Sequence, residues 1–238
     1  NADGRYLASG SKDGTLRIWR MPDGGEIRVP NEDHGYVTDV RFHPRDPNQL
    51  ATSYNDRTVQ QWRISSPDQA ELVRSLRGFS DTVSTLAYSR DGAFLAAGSY
   101  DRTVRVWHAD TGQLVTSRDA YPEGVWSIAF DHAARLFTGT KDGQIERWSV
   151  DGTDRTLSIR GHEGPLSGLA FLLGGKAVVS SALDGAVRVW NVEDATQLAQ
   201  WQVSSDWVAA LACSSDRNQF AWECGGTLYR GRFRNPAS

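Results

Sequence analysis

Cysteine is scarce in this sequence of 238 residues, which has only Cys213 and Cys224. Two cysteines are too few for a disulfide framework, and they lack the spacing of metal ligands. Lysine occurs only at residues 12, 141 and 176, and the formal net charge is −3. No apolar run approaches the ~18 residues of a membrane-spanning helix. These absences argue against a disulfide-stapled domain, generic nucleic-acid binding and membrane insertion, and they favour the reducing cytoplasm.

Targeting and cofactor signals are missing too. The chain starts at Asn1, without Met and without an apolar leader, which leads us to expect further residues upstream. The turn ADTGQL lacks the lysine and the following helix of a phosphate-binding loop. Four histidines show no spacing suited to a metal: His34, His43, His108 and His132. We therefore expect neither a cofactor nor a metal.

What the sequence does contain is a stretch of nine residues that recurs five times. The copies SKDGTLRIW, YNDRTVQQW, SYDRTVRVW, TKDGQIERW and ALDGAVRVW end at Trp19, Trp62, Trp107, Trp148 and Trp190. Each copy has an aspartate six residues before its tryptophan. A degenerate sixth copy, CGGTLYRGRF, has Gly225 in the aspartate position and Gly231 in the tryptophan position. A regular spacing of 41–45 residues between successive tryptophans indicates a repeat architecture.

Each period contains the same order of short strands. In the third unit we predict strands at residues 83–88, 94–99, 103–107 and 113–118, separated by turn sequences. Four short strands without a helical pattern predict an antiparallel sheet that must pack against its neighbours. We expect the three Asp-Gly copies to form two-residue hairpin turns with positive backbone angles, and the copies with Arg57 and Arg102 to use a turn that depends less on glycine.

The period, the strand order and the Asp-x-Thr-aliphatic-x-x-Trp ending resemble WD40 repeats. This resemblance covers essentially the whole chain and implies an all-β fold, a β-propeller of four-stranded antiparallel blades, with residues 1–238 as a single domain. The first unit lacks a first strand, and the last unit lacks a fourth strand. We therefore expect an incomplete or N-terminally truncated propeller of six or seven blades.

One unit carries the Gly-His pair of the family, at residues 161–162. The resemblance implies that His162, Ser180, Asp184 and Trp190 form a buried, hydrogen-bonded tetrad. The other units have different residues in place of that histidine: Asp33 or His34, Phe79, Tyr121 and Ser204. His162, Ser180 and Asp184 are also the residue types of a hydrolase triad. Because a nucleophilic serine must be exposed, we expect a stabilising role instead.

Two further sets of residues follow from the repeat. The turn aspartates, which we expect to accept backbone N–H bonds and rigidify the hairpins, are Asp13, Asp56, Asp101, Asp142 and Asp184. Propellers that resemble this chain commonly bind partners on the face formed by the turn with the aspartate and the loop that enters each first strand. The partner-binding rim expected on that face consists of Lys12, Tyr36, Asn55, Thr82, Tyr100, Trp126, Lys141 and Trp207.

These features predict a non-catalytic module that binds a protein or peptide on its rim, and neither nucleic acid nor a membrane. An alternative is a regulatory or sensor segment of a larger signalling protein, with a kinase, nucleotide-hydrolysing or protease domain upstream. A propeller enzyme is a third alternative, but it would require a pocket of converging titratable groups, which the sequence does not provide.

Overall fold

The computed structural model describes residues 1–30, 35–119, 121–150, 155–203, 207–214 and 219–232. The chain divides into two compact units, Asn1–Gly124 and Val125–Ser238. In the described residues each unit contains three antiparallel sheets of three or four strands. The predicted all-β class, with blade-like antiparallel sheets, is confirmed. Asp33, His34 and Ser204, three of the residues in the histidine position, lie outside the described residues.

The first unit contains the first, second and third sheets. Strands of the first sheet are β1 (Tyr6–Gly10), β2 (Leu16–Arg20) and β3 (Glu26–Ile27). The second sheet has β4 (Val37–Phe42), β5 (Gln49–Tyr54), β6 (Val59–Ser66) and β7 (Gln69–Leu76). Strands of the third sheet are β8 (Val83–Tyr88), β9 (Phe94–Ser99), β10 (Thr103–His108) and β11 (Leu114–Asp119). The predicted bounds of β8 and β9 are correct, and those of β10 and β11 differ by one residue.

The second unit contains the fourth, fifth and sixth sheets. Strands of the fourth sheet are β12 (Val125–Phe130), β13 (Leu136–Thr140), β14 (Gln144–Trp148) and β15 (Arg155–Arg160). The fifth sheet has β16 (Leu166–Leu172), β17 (Ala177–Ala182), β18 (Ala186–Asn191) and β19 (Gln197–Gln202), with a short 3-10 helix at Leu173–Gly175. Strands of the sixth sheet are β20 (Val208–Ser214), β21 (Gln219–Cys224) and β22 (Thr227–Arg232).

The hydrophobic core lies between consecutive sheets of the same unit. Second strands such as β9 and β17 are buried almost along their whole length, as their continuous apolar sequences predict. One cluster joins Ala51 and Val59 of the second sheet to Leu86 and Trp107 of the third. Similar clusters join the first and second sheets, the fourth and fifth, and the fifth and sixth. No single sheet could bury both of its faces alone, which explains why the repeats occur in series.

The turns that contain the aspartates differ from our expectation. Gly143 and Gly185 each donate a backbone N–H to the residue three positions earlier and have φ of 86° and 75°, which describes a three-residue hairpin loop. Arg57 and Arg102 occupy the same place with φ of 75° and 69°. The arginine copies therefore adopt the left-handed conformation of the glycine copies, and the expectation of a different turn was wrong.

A two-residue turn does occur in the sixth sheet. Cys224 pairs directly with Thr227, and both intervening glycines, Gly225 and Gly226, have positive φ, as type I′ turns require. Pairing within this sheet also places Cys213 opposite Phe220, while Cys224 lies opposite Val208. The two thiols therefore lie near opposite ends of neighbouring strands, and no disulfide joins them.

Candidate protein-binding surface and hydrogen-bonded network

In the fifth sheet, four side chains form a continuous hydrogen-bonded chain. Trp190 Nε1 is 2.8 Å from Ser180 Oγ, and Ser180 Oγ is 2.7 Å from His162 Nε2. His162 Nδ1 is 3.0 Å from Asp184 Oδ2. Ser180 lies on β17 and Trp190 on β18, whereas His162 precedes β16 and Asp184 lies in the turn after β17. The network thus links two strands to two loops of the same sheet.

The protonation of this network follows from its acceptors. A carboxylate can only accept, so His162 carries its proton on Nδ1 and donates it to Asp184. Nε2 then accepts from Ser180, whose oxygen in turn accepts from the Trp190 N–H. Arg188 Nη1 lies 2.6 Å from His162 Nδ1, but it has Gly161 O and Asp184 Oδ2 as acceptors, each 2.9 Å away. We therefore assign the Arg188 hydrogens to those two oxygens.

Burial and charge oppose each other in the network. Burial lowers the pKa of His162, and the nearby Asp184 carboxylate only partly offsets this effect. Burial alone would raise the pKa of Asp184, but hydrogen bonds from Arg188 and His162 bring it below its ordinary value. A neutral imidazole beside an ionised carboxylate is therefore the form that the fold favours.

The triad-like order Ser180, His162, Asp184 does not create an accessible nucleophile. Ser180 has 0% exposure, and the Trp190 N–H occupies one lone pair of its oxygen. A substrate carbonyl could reach this oxygen only if the sheet opened. Among the residues that the structure describes, no group of three or more His, Cys, Asp or Glu side chains could hold a metal ion.

The third sheet has an apolar version of the same arrangement. Phe79 stands in the histidine position and contacts Trp107 edge to face, with ring centroids 6.0 Å apart. Ala97 opposes Arg105 as Ser180 opposes Arg188, so alanine replaces the serine. The turn aspartate is retained: Asp101 accepts the Ser80 N–H at 2.8 Å. In the second sheet, Trp62 instead donates to Thr52 Oγ1 at 2.9 Å. Tyr121, in the histidine position of the next unit, is buried.

Three of the five turn aspartates share one local contact. Asp13, Asp56 and Asp101 each accept both the backbone N–H and the hydroxyl of the threonine two residues later. Hydrogen bonds from Thr15 lower the pKa of the exposed Asp13 to about 2. Asp142 differs because it accepts from the preceding Thr140 hydroxyl at 2.5 Å. These contacts explain how the aspartate closes the loop.

The residues predicted for the rim are held by backbone pairing. In the second sheet the Asn55 N–H donates to Tyr36 O at 3.2 Å, and Asn55 Oδ1 accepts the Tyr36 N–H at 2.7 Å. In the third sheet the Tyr100 N–H donates to Thr82 O at 3.0 Å. Each pair therefore extends the pairing of its first two strands beyond their ends and fixes two rim residues side by side.

Two tyrosines of neighbouring sheets are exposed in the first unit. Tyr36 is 37% exposed and Tyr100 is 41% exposed. Burial raises the pKa of Tyr100, with smaller contributions from Tyr36 and Asp81. Gly124 makes room for the backbone of Tyr100, since a Cβ there would lie 3.2 Å from Tyr100 Cα. We call Tyr36, Asn55, Asp81, Thr82 and Tyr100 the turn surface. The exposed Lys12 lies in the corresponding turn of the first sheet.

In the second unit, Lys141 is exposed and Trp207 is 60% exposed. Trp126 is half-buried and lies in the bulge of β12. Tyr36 and Thr82 each precede the first paired residue of their sheet, and in the fourth sheet that position is Gly124. In the fifth sheet the Leu183 N–H donates to Pro165 O at 2.9 Å. Pro165 and Leu183 thus occupy rim positions that the sequence reasoning missed, although their offsets from Asp184 would have identified them.

Comparisons with known proteins agree with the repeat pattern. A family model described as "WD domain, G-beta repeat" matches residues 1–20, 27–63, 70–108 and 153–191, more than half of the chain. Rat "Apoptotic protease-activating factor 1" is 27% identical over 235 residues, which cover 94% of this chain and 18% of that protein. The "Ribosome biogenesis protein WDR12 homolog" of Chlamydomonas reinhardtii is 27% identical over 255 residues, which cover 90% and 57%.

Rice "Pre-mRNA-processing factor 19" is 23% identical over 189 residues, which cover 78% of this chain and 36% of that protein. The chain spans less than two thirds of the length of these curated relatives. Among solved structures, the computationally designed Ika8 protein is similar, with a TM-score of 0.80 and 27% identity. That similarity covers 96% of this chain and 68% of the designed one.

Proposed function

Because the chain belongs to the WD40 repeat family, we propose that it is a non-catalytic interaction module that binds a protein or peptide through its turn surface. The observation that carries this proposal is a pair of exposed tyrosines, Tyr36 and Tyr100, each held by backbone hydrogen bonds at the same end of its own sheet. Tyrosine supplies a large contact area at a low cost in side-chain entropy, and it is enriched among the residues that dominate binding.

The chemistry of the turn surface favours a cationic side chain in the ligand. Asp81 is exposed and lies near Tyr100, so a lysine or arginine could pair with the carboxylate and contact the face of a tyrosine ring. Glu123, beside Gly124, is also exposed and adds a second negative charge near this edge of the unit. We therefore propose that the preferred segment carries an arginine or lysine.

The test compares two variants in a peptide-display selection followed by affinity measurement. Tyr36→Ala combined with Tyr100→Ala should weaken binding of selected basic peptides at least tenfold. Leu114→Ala is the matched control, because Leu114 is 46% exposed and lies at the opposite end of the third sheet, paired with Trp107. Equal affinities of the double variant and the unaltered chain would contradict the proposal, as would selected peptides without basic residues.

A second role is compatible with the same surface, namely a regulatory or sensor segment of a larger signalling protein. It is favoured by the match to rat apoptotic protease-activating factor 1, in which a region similar to nearly this whole chain is a small part of a longer protein. Sequencing the coding region upstream of Asn1 tests this role. A kinase, nucleotide-hydrolysing or protease domain there would support it.

We further propose that the protein acts in the cytoplasm and binds neither nucleic acid nor membranes. The described residues include no helix with the length and apolarity needed to cross a membrane. Two relatives are named for ribosome biogenesis and pre-mRNA processing, so location and RNA binding both need a direct test. Imaging of the tagged full-length protein tests the location, an RNA-binding assay tests nucleic-acid binding, and a vesicle-binding assay tests membrane binding.

A further inference from the structure

A polar cavity of about 210 Å³ lies between the second and third sheets, apart from the turn surface. Gln61 of β6 and Arg74 of β7 line one side, and Ala109 and Asp110, which follow β10, line the other. Gln61 is only 4% exposed, whereas Arg63 and Asp110 are exposed at the mouth. The cavity therefore has a buried polar floor and a charged entrance.

Two buried polar atoms at this place, Gln61 Oε1 and Arg74 Nη1, have no hydrogen-bond partner in the described part of the chain. Gln61 Nε2 donates to Ala109 O at 2.9 Å, which fixes the orientation of the amide and leaves its oxygen without a partner. Burial raises the pKa of Tyr88 to about 12, while a hydrogen bond with the Gln61 side chain and the positive charge of Arg74 act in the opposite direction. Unpaired buried polar atoms are rare and call for a partner.

The junction between the fourth and fifth sheets shows how the same place can be filled. Arg147 precedes its tryptophan as Gln61 does, and its Nη1 donates to Val192 O, the counterpart of Ala109 O. Glu193, the counterpart of Asp110, accepts from Arg135 at 2.9 Å and lies 3.7 Å from Arg147. In the second unit, protein groups thus occupy the position that remains a cavity beside the shorter Gln61.

We propose that the cavity beside Gln61 binds a carboxamide group, either the side chain of an asparagine or glutamine from a bound protein or a small free amide. Arg74 Nη1 needs an acceptor, and Gln61 Oε1 needs a donor. A carboxamide offers both at adjacent atoms. A carboxylate would leave Gln61 Oε1 unpaired and would meet Asp110, while an ammonium group would meet Arg63 and Arg74.

The test uses propionamide and propionate as probes in an NMR titration of the full chain, read at the Gln61 side-chain amide and the Arg74 guanidinium. A ligand of this size binds weakly, so we expect saturable shifts with a Kd on the order of 1–10 mM for propionamide. Propionate should bind at least tenfold more weakly. No saturable shift up to about 0.1 M propionamide, or equal binding of the two probes, would overturn the proposal.

Gln61→Arg is the decisive variant, because it introduces the residue type of Arg147, which occupies the corresponding position between the fourth and fifth sheets. Its guanidinium should pair with Ala109 O and Asp110, so the fold is retained and propionamide binding is lost. Arg74→Met is a second variant, on a half-buried outer-strand residue, and should weaken binding at least tenfold. If both variants fold and still bind propionamide unchanged, the NMR shifts come from binding at another site, and the proposal is overturned.

Two short peptides distinguish the source of the carboxamide. Acetyl-Ala-Gln-Ala-N-methylamide and acetyl-Ala-Ala-Ala-N-methylamide differ only in the side chain offered to the cavity, and neither ends in a primary carboxamide. Tighter binding of the glutamine peptide than of propionamide supports a protein ligand. If propionamide binds and the two peptides bind equally weakly, the ligand is a small free amide.

Discussion

Removing the hydroxyl of Ser180 should destabilise the fifth sheet through two buried groups at once. In Ser180→Ala, the Trp190 N–H loses its acceptor and His162 Nε2 loses its donor. Each buried group left unpaired costs about 1–3 kcal/mol, so we expect the two together to lower the free energy of unfolding by about 2–6 kcal/mol. Urea unfolding followed by tryptophan fluorescence measures this loss as a lower midpoint with an unchanged slope.

The third sheet supplies the matched control for this substitution. There Phe79 and Ala97 replace the histidine and serine, and the tryptophan packs against the phenylalanine ring. Because replacing both polar partners by apolar groups is nearly neutral, the double variant His162→Phe, Ser180→Ala should recover at least half of the loss. A single variant within about 0.5 kcal/mol of the unaltered chain, or a double variant less stable than the single one, would refute the reasoning.

Three further predictions concern other parts of the same fold. Arg102→Gly should raise the unfolding free energy by about 0.5–1 kcal/mol in urea titrations, because the strain of a left-handed arginine exceeds the added chain entropy of glycine. The pKa of His162 is lowered in the fold, so the unfolded chain takes up its proton more readily, and stability should fall as pH drops through 6.5. That decline should be absent in the double variant with phenylalanine. Asp39 Oδ2 accepts the Leu86 N–H at 2.9 Å, so Asp39→Ala should lower the free energy of unfolding by about 1–3 kcal/mol. Burial raises the pKa of Asp39, so the folded chain holds this proton more tightly than the unfolded chain. The contribution of Asp39 to the free energy of unfolding should therefore decline as pH rises above 3.8, and Asp39→Asn should remove this trend.

The strands were predictable from the sequence because burial dictates their composition. The run FLAAGS has both faces covered, and its bounds in the structure, Phe94–Ser99, are those that the apolar run predicts. The aspartate positions were equally visible. Their turns were misjudged at Arg57 and Arg102, because propensity favours glycine there and gives no sign that a three-residue loop is retained. Hydrogen bonds from the following threonine to the aspartate hold that loop in both arginine copies.

The surface residues were predictable only in part. The start of a first strand identified Tyr36, and the position before a turn aspartate identified Tyr100; the exposure of both agrees with a place at the surface. A bulge adds one residue to a first strand, and the spacing of the repeat tryptophans gives no sign of it. The strand pairing shows that Trp126 is the extra residue in the bulge of β12. The cavity at Gln61 depends on packing between two sheets about 45 residues apart in sequence, which no local pattern encodes.

Comparison of the repeats explains how such a chain can vary without losing its fold. The fifth sheet has a polar partner for its tryptophan, and the third has an apolar one, while both keep the turn aspartate and the arginine that contacts the incoming loop. In the fourth sheet Thr138 keeps a hydroxyl in the serine position and donates it to Glu146 O, while Tyr121 replaces the histidine, so the two positions also vary independently. Tyr36 and Tyr100 have exposed rings and take part in neither network, so selection for a ligand can alter them with little effect on stability.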